Sequence, residues 1–258
     1  MMMNIGEYCR NFIINTLNLP VMKKLILFCI GLAMAACCKY EEVVYFSDTG
    51  SYIDLRDYKN YNWVTVGTQT WMTDNLAYLP SLSSQESWQG ADKEKRYYVF
   101  GYEDTIVNVA KSLLNYTTYG VLYNWPAAMN GAGSSTSVPS GVQGICPPGW
   151  HLPSDAEWGV LEAFLGANAG GKMKETGTSH WKSPNTGATN ESGFTAIPGG
   201  SFGYYFGFSS MGLSAVFWTS TEGDSLLAVS YGLYYRSKEM NRGNIAPSGG
   251  CSVRCLKD

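Results

Sequence analysis

Between Tyr61 and Val66 the side chains sort at a spacing of two, with Tyr61, Trp63 and Thr65 in one set and Asn62, Val64 and Val66 in the other. That period places the two sets on opposite faces of a strand. Gly67-Thr68 supplies a turn and Gln69-Thr-Trp-Met72 starts a return strand, which predicts a hairpin. Tyr97 to Tyr102 predicts a further strand. The period then lengthens: Ile106, Val109, Ala110, Leu113 and Leu114 recur at three and four, which predicts a helix capped by Asp104. A second helix is announced by Ser154-Asp-Ala-Glu157, a capping box in which the serine oxygen accepts from the Glu157 amide and the Glu157 carboxylate from the serine amide. Trp158, Leu161 and Leu165 form its apolar stripe, and Gly170-Gly171 is expected to end it.

Polar intervals separate these elements. Residues 80–96 are Ser-rich with mixed charges and predict a surface loop. Gly131 to Gly144 is rich in Gly and Ser and predicts a mobile one. From Gly193 onward the chain is aromatic-, Gly- and β-rich, and no internal repeat is visible. One or two helices packed on short antiparallel strands, closed by a C-terminal strand, make a loop-rich α+β domain. Trp71, Trp125, Trp150, Trp158 and Trp218 each fall in a predicted element and are assigned to its core.

The N-terminus follows a different logic. Met22-Lys-Lys precedes the apolar run Leu25 to Ala36, followed at once by Cys37. A positive start, an apolar stretch and small residues before a cleavage point describe a signal peptide. The run is shorter than the ~20 residues of a membrane-spanning helix. A cysteine directly after Ala35-Ala36 resembles the lipobox of bacterial lipoproteins, which implies that Cys37 is acylated and anchors the chain to a membrane. Met34 stands where that motif usually has leucine. Cys38-Lys-Tyr-Glu-Glu42 resembles the surface-export tags of Bacteroides-type lipoproteins and implies the outer face of the outer membrane. Residues 1–36 are thus expected to be a signal-peptide region with its effective start at Met22. Residues 37–51 then form a lipidated tether and residues 52–258 the domain.

Charge narrows the partners. The chain has 18 Lys and Arg against 21 Asp and Glu, a formal net charge of −3. Losing residues 1–36 removes Arg10, Lys23, Lys24 and Glu7 and takes the balance to −5. A mildly acidic surface without an uninterrupted basic run argues against nucleic acid and against electrostatic membrane binding.

The segment Cys146-Pro-Pro-Gly-Trp-His-Leu-Pro-Ser-Asp-Ala-Glu-Trp158, with Ser252-Val-Arg-Cys255 near the end, resembles the Fibrobacter succinogenes major paralogous domain, a family of exported bacterial modules. The stretches Asp54 to Leu76 and Tyr119 to Met129 are similar to it as well, so the resemblance spans about residues 52–258. It implies a C-type-lectin-like fold. Some members carry a cysteine pair near residues 119–129; this chain has none there. Trp150 to Trp158 also resembles the helix-opening motif of the formylglycine-generating enzymes, which share that broad architecture.

Export permits disulfides. Beyond Cys37 the candidates are Cys38, Cys146, Cys251 and Cys255. In a strand Cys251 and Cys255 share a face but stand about 13 Å apart, too far to bond each other. Cys146–Cys255 is therefore the expected staple, leaving Cys251 as a buried thiol or as a partner of Cys38. The formylglycine-generating enzymes use a cysteine pair near the C-terminus. The spacing here differs by one residue, which would turn one sulfur to the other strand face.

No catalytic set is expected. His151 and His180 lie apart, and Asp155 and Glu157 are explained by capping and by the helix dipole without a metal. Gly-rich phosphate loops, paired metal-binding spacings and a nucleophile elbow are all missing. Trp218-Thr-Ser-Thr-Glu222 stands in the place of a lectin calcium strand, but Thr219 and Ser220 replace the strong oxygen ligands, so no metal and no cofactor is expected. Binding chemistry is offered instead by Ser201-Phe-Gly-Tyr-Tyr-Phe-Gly-Phe208, an aromatic stretch flexed by glycines, and by Tyr231 to Arg236. Tyr204, Tyr205, Phe206, Phe208, Tyr235 and Arg236 are the candidate contacts to a glycan or protein ligand, since exposed rings offer rigid amphipathic area. The expected protein is a non-enzymatic, surface-exposed lipoprotein binding module serving adhesion or polysaccharide capture. A structural subunit of an outer-membrane surface complex is the alternative, and a redox or copper protein similar to the formylglycine-generating enzymes is the third.

Overall fold

The alternation at Tyr61 to Val66 becomes β2 (Lys59–Val66), paired antiparallel with β1 (Thr49–Asp54) and β3 (Gln69–Met72). The computed structural model describes residues 48–84, 93–203, 206–223 and 226–258. The signal-peptide region, Cys37, Cys38 and most of the expected tether lie outside these residues, as do Tyr204 and Tyr205. β1 takes in residues 49–51, ahead of the domain start at 52 read from the sequence.

The sheet continues through β12 (Leu256–Lys257) to β6 (Trp150–His151), in the order β1-β2-β3-β12-β6. The C-terminal strand thus sits inside the sheet, with Leu256 opposite both Trp71 and His151. The stretch 251–255, expected to lie in the last strand, instead runs extended between elements and shares its backbone bonds among several partners. Cys251 bridges Tyr123, Ser252 bridges Phe217, and the amides of Met72 and Leu76 donate to the carbonyls of Cys255 and Val253.

A second antiparallel sheet has the order β11-β10-β9, from β9 (Ser214–Glu222), β10 (Ala228–Tyr234) and β11 (Asn241–Ile245). Two small pairs complete the strands: β4 (Tyr97–Tyr98) with β5 (Leu122–Tyr123), and β7 (Ser201–Gly203) with β8 (Gly207–Ser209). The helices are α1 (Val107–Lys111), α2 (Leu114–Tyr119), α3 (Trp125–Met129), α4 (Asp155–Leu165) and α5 (Ala169–Met173). The domain is α+β, dominated by short antiparallel strands.

Two cores explain why both faces of β2 carry apolar residues. Tyr61, Met72, Trp150, Val216 and Trp218 belong to one core, and Val64, Val66, Trp71, Ala215 and Phe217 to the other. β9 is shared in the same alternating way, and all its residues from Ser214 to Thr221 are buried. α4 plugs the second core. Trp158 stacks on Tyr231 at 5.3 Å and Phe217 at 5.5 Å and tilts against Trp71 at 4.7 Å. Its capping box is complete: the Glu157 amide donates to Ser154 Oγ at 3.2 Å and the Ser154 amide to Glu157 Oε2 at 2.8 Å.

Several expectations are corrected. The helix expected after Asp104 is two short ones broken at Ser112-Leu113, where Leu113 is extended. Ile106, Val109 and Leu114 are therefore exposed, because the break removes the continuous face that would have buried them. α4 ends at Gly166, whereas Gly170 and Gly171 lie within α5. They serve close approach: a Cβ on them would strike the carbonyls of Glu239 and Gly187. The stretch 131–144 is pinned rather than loose. Ser154 Oγ donates to Ser137 O at 2.7 Å, Thr221 Oγ1 to Ser135 O at 2.6 Å, and Ser140 Oγ to Leu152 O at 2.7 Å. Trp125 is half-buried, while Trp181, unassigned from the sequence, is a core residue whose Nε1–H donates to Ala196 O.

The staple is Cys146–Cys255, with Cα atoms 5.9 Å apart and a sequence separation of 109. Two buried cations also brace the fold. Arg254 donates to Asn75 Oδ1 and to the carbonyls of Met72, Phe194 and Thr195, and packs over Phe194 at 4.7 Å. Burial lowers its pKa to about 9, against a smaller opposing pull from Asp74. Lys174 Nζ donates to the carbonyls of Thr186, Tyr234 and Ser237, with its pKa lowered by burial to about 8.

Candidate binding surface

The aromatic stretch from Ser201 folds as the β7–β8 hairpin, with Phe206 leading into β8. Gly203 and Gly207 pair across the neck, and Gly207 has φ +63°, a conformation that costs glycine little. Phe202 and Phe208 pair at the base with rings 5.2 Å apart. Tyr98 of β4 stacks flat on Phe202 at 4.1 Å, and Phe100 leans on Phe208 at 5.1 Å. Phe202 and Gly250 exchange two backbone hydrogen bonds of 2.8 Å, which tie the hairpin to the chain entering Cys251. A Cβ at Gly250 would come within 2.9 Å of Phe202 Cβ, so glycine permits that seat. The base is therefore rigid, and Phe206 at the tip is 85% exposed.

Of the six residues proposed from sequence as ligand contacts, Phe206 is exposed and Phe208 is half-buried in the ring cluster. Tyr204 and Tyr205 fall outside the described residues. Tyr235 is half-buried against the second core, and Arg236 is exposed with its guanidinium 5.1 Å from the Tyr235 ring. The Tyr235 amide donates to Leu213 O, which brings this segment to the chain leaving β8. Sequence alternation missed Tyr98 and Phe100, because their contact with the hairpin depends on how β4 is placed. It also missed an open groove of about 490 Å³ lined by Thr49, Ser51, Asn62, Trp63, Thr73 and Gly193, for which no motif gives a signal.

The other candidate chemistry is accounted for residue by residue. His151 is buried between two carboxylates, with Nε2 2.9 Å from Glu157 Oε1 and Nδ1 2.7 Å from Asp258 Oδ1. Burial disfavours its charge, but the two carboxylates together outweigh burial and raise its pKa. Glu157 also accepts from the Ser140 amide, so a residue expected only to cap links three segments. His180 pairs with Glu175 at 2.8 Å. In β9, Thr219 Oγ1 donates to Val229 O at 2.9 Å, and Trp218 Nε1–H to Tyr123 O at 2.6 Å. Among the described residues, no group of three or more His, Cys, Asp or Glu is disposed to hold a metal ion. Cys251 is a free thiol, fully buried, and burial pushes its pKa up. Among the described residues no helix is long and apolar enough to cross a membrane.

These features define a disulfide-stapled α+β module with a rigidly based aromatic hairpin. The chain belongs to the Fibrobacter succinogenes major domain family, whose model matches residues 64–257. The match runs from within β2 to the last strand and includes both cysteines of the staple. Comparison with curated proteins and with solved structures gave no match.

Proposed function

We propose that the chain is an exported, non-enzymatic binding module, anchored by an acylated Cys37 to the outer membrane and facing outward. In this reading a C-type-lectin-like domain holds a glycan or protein ligand by ring contacts from the β7–β8 hairpin. The observation that carries it is Phe206, a large apolar ring held in solvent at the tip of a hairpin whose base is locked by Tyr98, Phe202 and Phe208. A large exposed ring next to a braced hairpin base offers rigid amphipathic contact area to a ligand. The signal peptide and lipobox support the cellular address.

The test is binding of the purified domain to a broad glycan and matrix-protein array, with and without chelator. A chelator-insensitive ligand is expected, with affinity lost on Phe206→Ala, Tyr204→Ala or Tyr205→Ala. Silence across the array would overturn the reading in favour of a structural subunit, which would co-purify with other outer-membrane lipoproteins.

A further inference from the structure

The turn that joins β1 to β2 carries side chains that turns seldom carry. Gly, Pro, Asn, Asp and Ser dominate such positions. Here Ile53, Leu55 and Tyr58 are 54%, 73% and 78% exposed. Tyr58 has φ +60°, a left-handed conformation that is costly for a bulky side chain and easy for Gly or Asn. The turn is nonetheless held firmly. The Tyr58 amide donates to Asp54 O at 2.7 Å. The buried Asp54 carboxylate accepts from Arg56 Nε at 2.9 Å and from Nη2 at 2.7 Å. Arg56 Nη1 donates to Ile145 O at 2.8 Å, and the guanidinium lies 4.0 Å from the centre of the Tyr78 ring. The base of the turn is thus fastened to the domain while three apolar side chains stand in water.

A single exposed apolar residue is ordinary, but a group on a braced and strained turn points to a contact surface. The place of the turn in the chain names what it contacts. β1 is the first described element, and residues 38–47 lead from Cys37 to it. At ~3.6 Å per residue that stretch reaches about 40 Å at most. The turn lies at the far end of β1, about 20 Å further along. An acyl chain on Cys37 therefore keeps the turn at high effective concentration beside a bilayer. Its chemistry suits that partner, since aliphatic side chains with a tyrosine fit the boundary between headgroups and acyl chains. Asp54 and Asp57 are matched by Arg56 and Lys59, so the turn brings no net charge to a lipid surface.

We infer that the β1–β2 turn is a membrane-docking element, in which Leu55 and Tyr58, flanked by Ile53, enter the headgroup boundary of the bilayer that holds Cys37. The contact is apolar, so salt does not weaken it. The inference rests on the anchor in the proposed function and goes beyond it. The domain lies on the membrane by a fixed face rather than swinging on its tether.

Hydroxyl-radical oxidation read by mass spectrometry tests this on the acylated protein in vesicles of phosphatidylethanolamine and phosphatidylglycerol. Leu55 and Tyr58 are expected to oxidise several-fold more slowly there than in the Cys37→Ser chain free in solution, at low and at high salt. Phe164, exposed beside Gly67 at the other end of β2, is expected to oxidise at one rate in both. Tyr58→Asn should hold or raise the melting temperature, because Asn tolerates the left-handed backbone, yet return Leu55 on vesicles to its rate in solution. Four results overturn the docking element: no protection on vesicles, protection lost at high salt, equal protection of Phe164, or full protection of Leu55 in Tyr58→Asn. The mass of the mature chain reports acylation separately, and a chain without an acyl group defeats the anchor. Sedimentation of that chain with the same vesicles, weakened about tenfold by Tyr58→Asn, would then still support the docking element, and no sedimentation would sink it.

Discussion

Arg254 shows how one side chain can carry more than its motif reveals. In Ser252-Val-Arg-Cys255 it looks like a polar residue next to a staple, but it is fully buried and its guanidinium binds three backbone carbonyls and Asn75. Arg254→Met should cost at least about 1–3 kcal/mol, the worth of leaving a buried acceptor unsatisfied, because the carbonyls and Asn75 lose their donor. Urea denaturation of the variant checks this, and a loss under about 1 kcal/mol would contradict the bracing role. His151 offers a pH-dependent test. Its folded pKa is raised by Glu157 and Asp258, so its contribution is complete below the unfolded value of about 6.5 and is lost as pH rises through the folded value. Wild-type stability should therefore fall relative to His151→Gln as pH rises above the unfolded value of about 6.5, where the profile of the variant is flatter. Thermal melts of both proteins across that rise measure it.

At the scale of elements, α4 was legible because a capping box and the three-residue stripe Trp158, Leu161 and Leu165 are local signals. The structure reproduces both, from Ser154 to Leu165. Ser154→Ala should lower stability by about 1 kcal/mol, the usual worth of an N-cap, with a further loss from its bond to Ser137 O. The helix expected after Asp104 misled because periodicity cannot show the extended break at Leu113. Gly170 and Gly171 misled for a related reason. Glycine signals a helix end or a close approach equally well, and here the backbones of Glu239 and Gly187 pass against them. Gly170→Ala should therefore destabilise, although alanine is the better helix former, since its Cβ meets a carbonyl that cannot yield. A melting temperature unchanged or raised would refute the contact.

For the whole molecule, the staple and the free thiol make a paired prediction. Cys146→Ser with Cys255→Ser should lose about 2–5 kcal/mol, the range for a disulfide closing a long loop. Native Cys251 should resist thiol reagents and become reactive only on unfolding, because it sits in the first core at 0% exposure. Labelling followed by mass measurement distinguishes the cases, and rapid native labelling would reopen the cysteine-chemistry reading. The two-core arrangement explains why these effects should be global. β2, β3 and β9 each present one face to each core, so damage on either side reaches both.

The sequence by itself determined what depends on near neighbours or on simple exclusion: the β2–β3 hairpin, the α4 cap and stripe, the α+β class, and the pairing of Cys146 with Cys255. Only the tertiary structure decided what depends on residues far apart in the chain. It set β12 between β3 and β6, sat His151 between Glu157 and Asp258, and laid Tyr98 on Phe202. It also decided the fate of the cations. Arg254, Lys174 and Arg96 read alike as polar positions, and burial among distant carbonyls separates the first two, which find acceptors, from Arg96, whose buried Nε and Nη1 find none among the described residues. The physical reason is that a side chain's local pattern reports which way it points, whereas its desolvation and its partners are properties of the surface it is packed against.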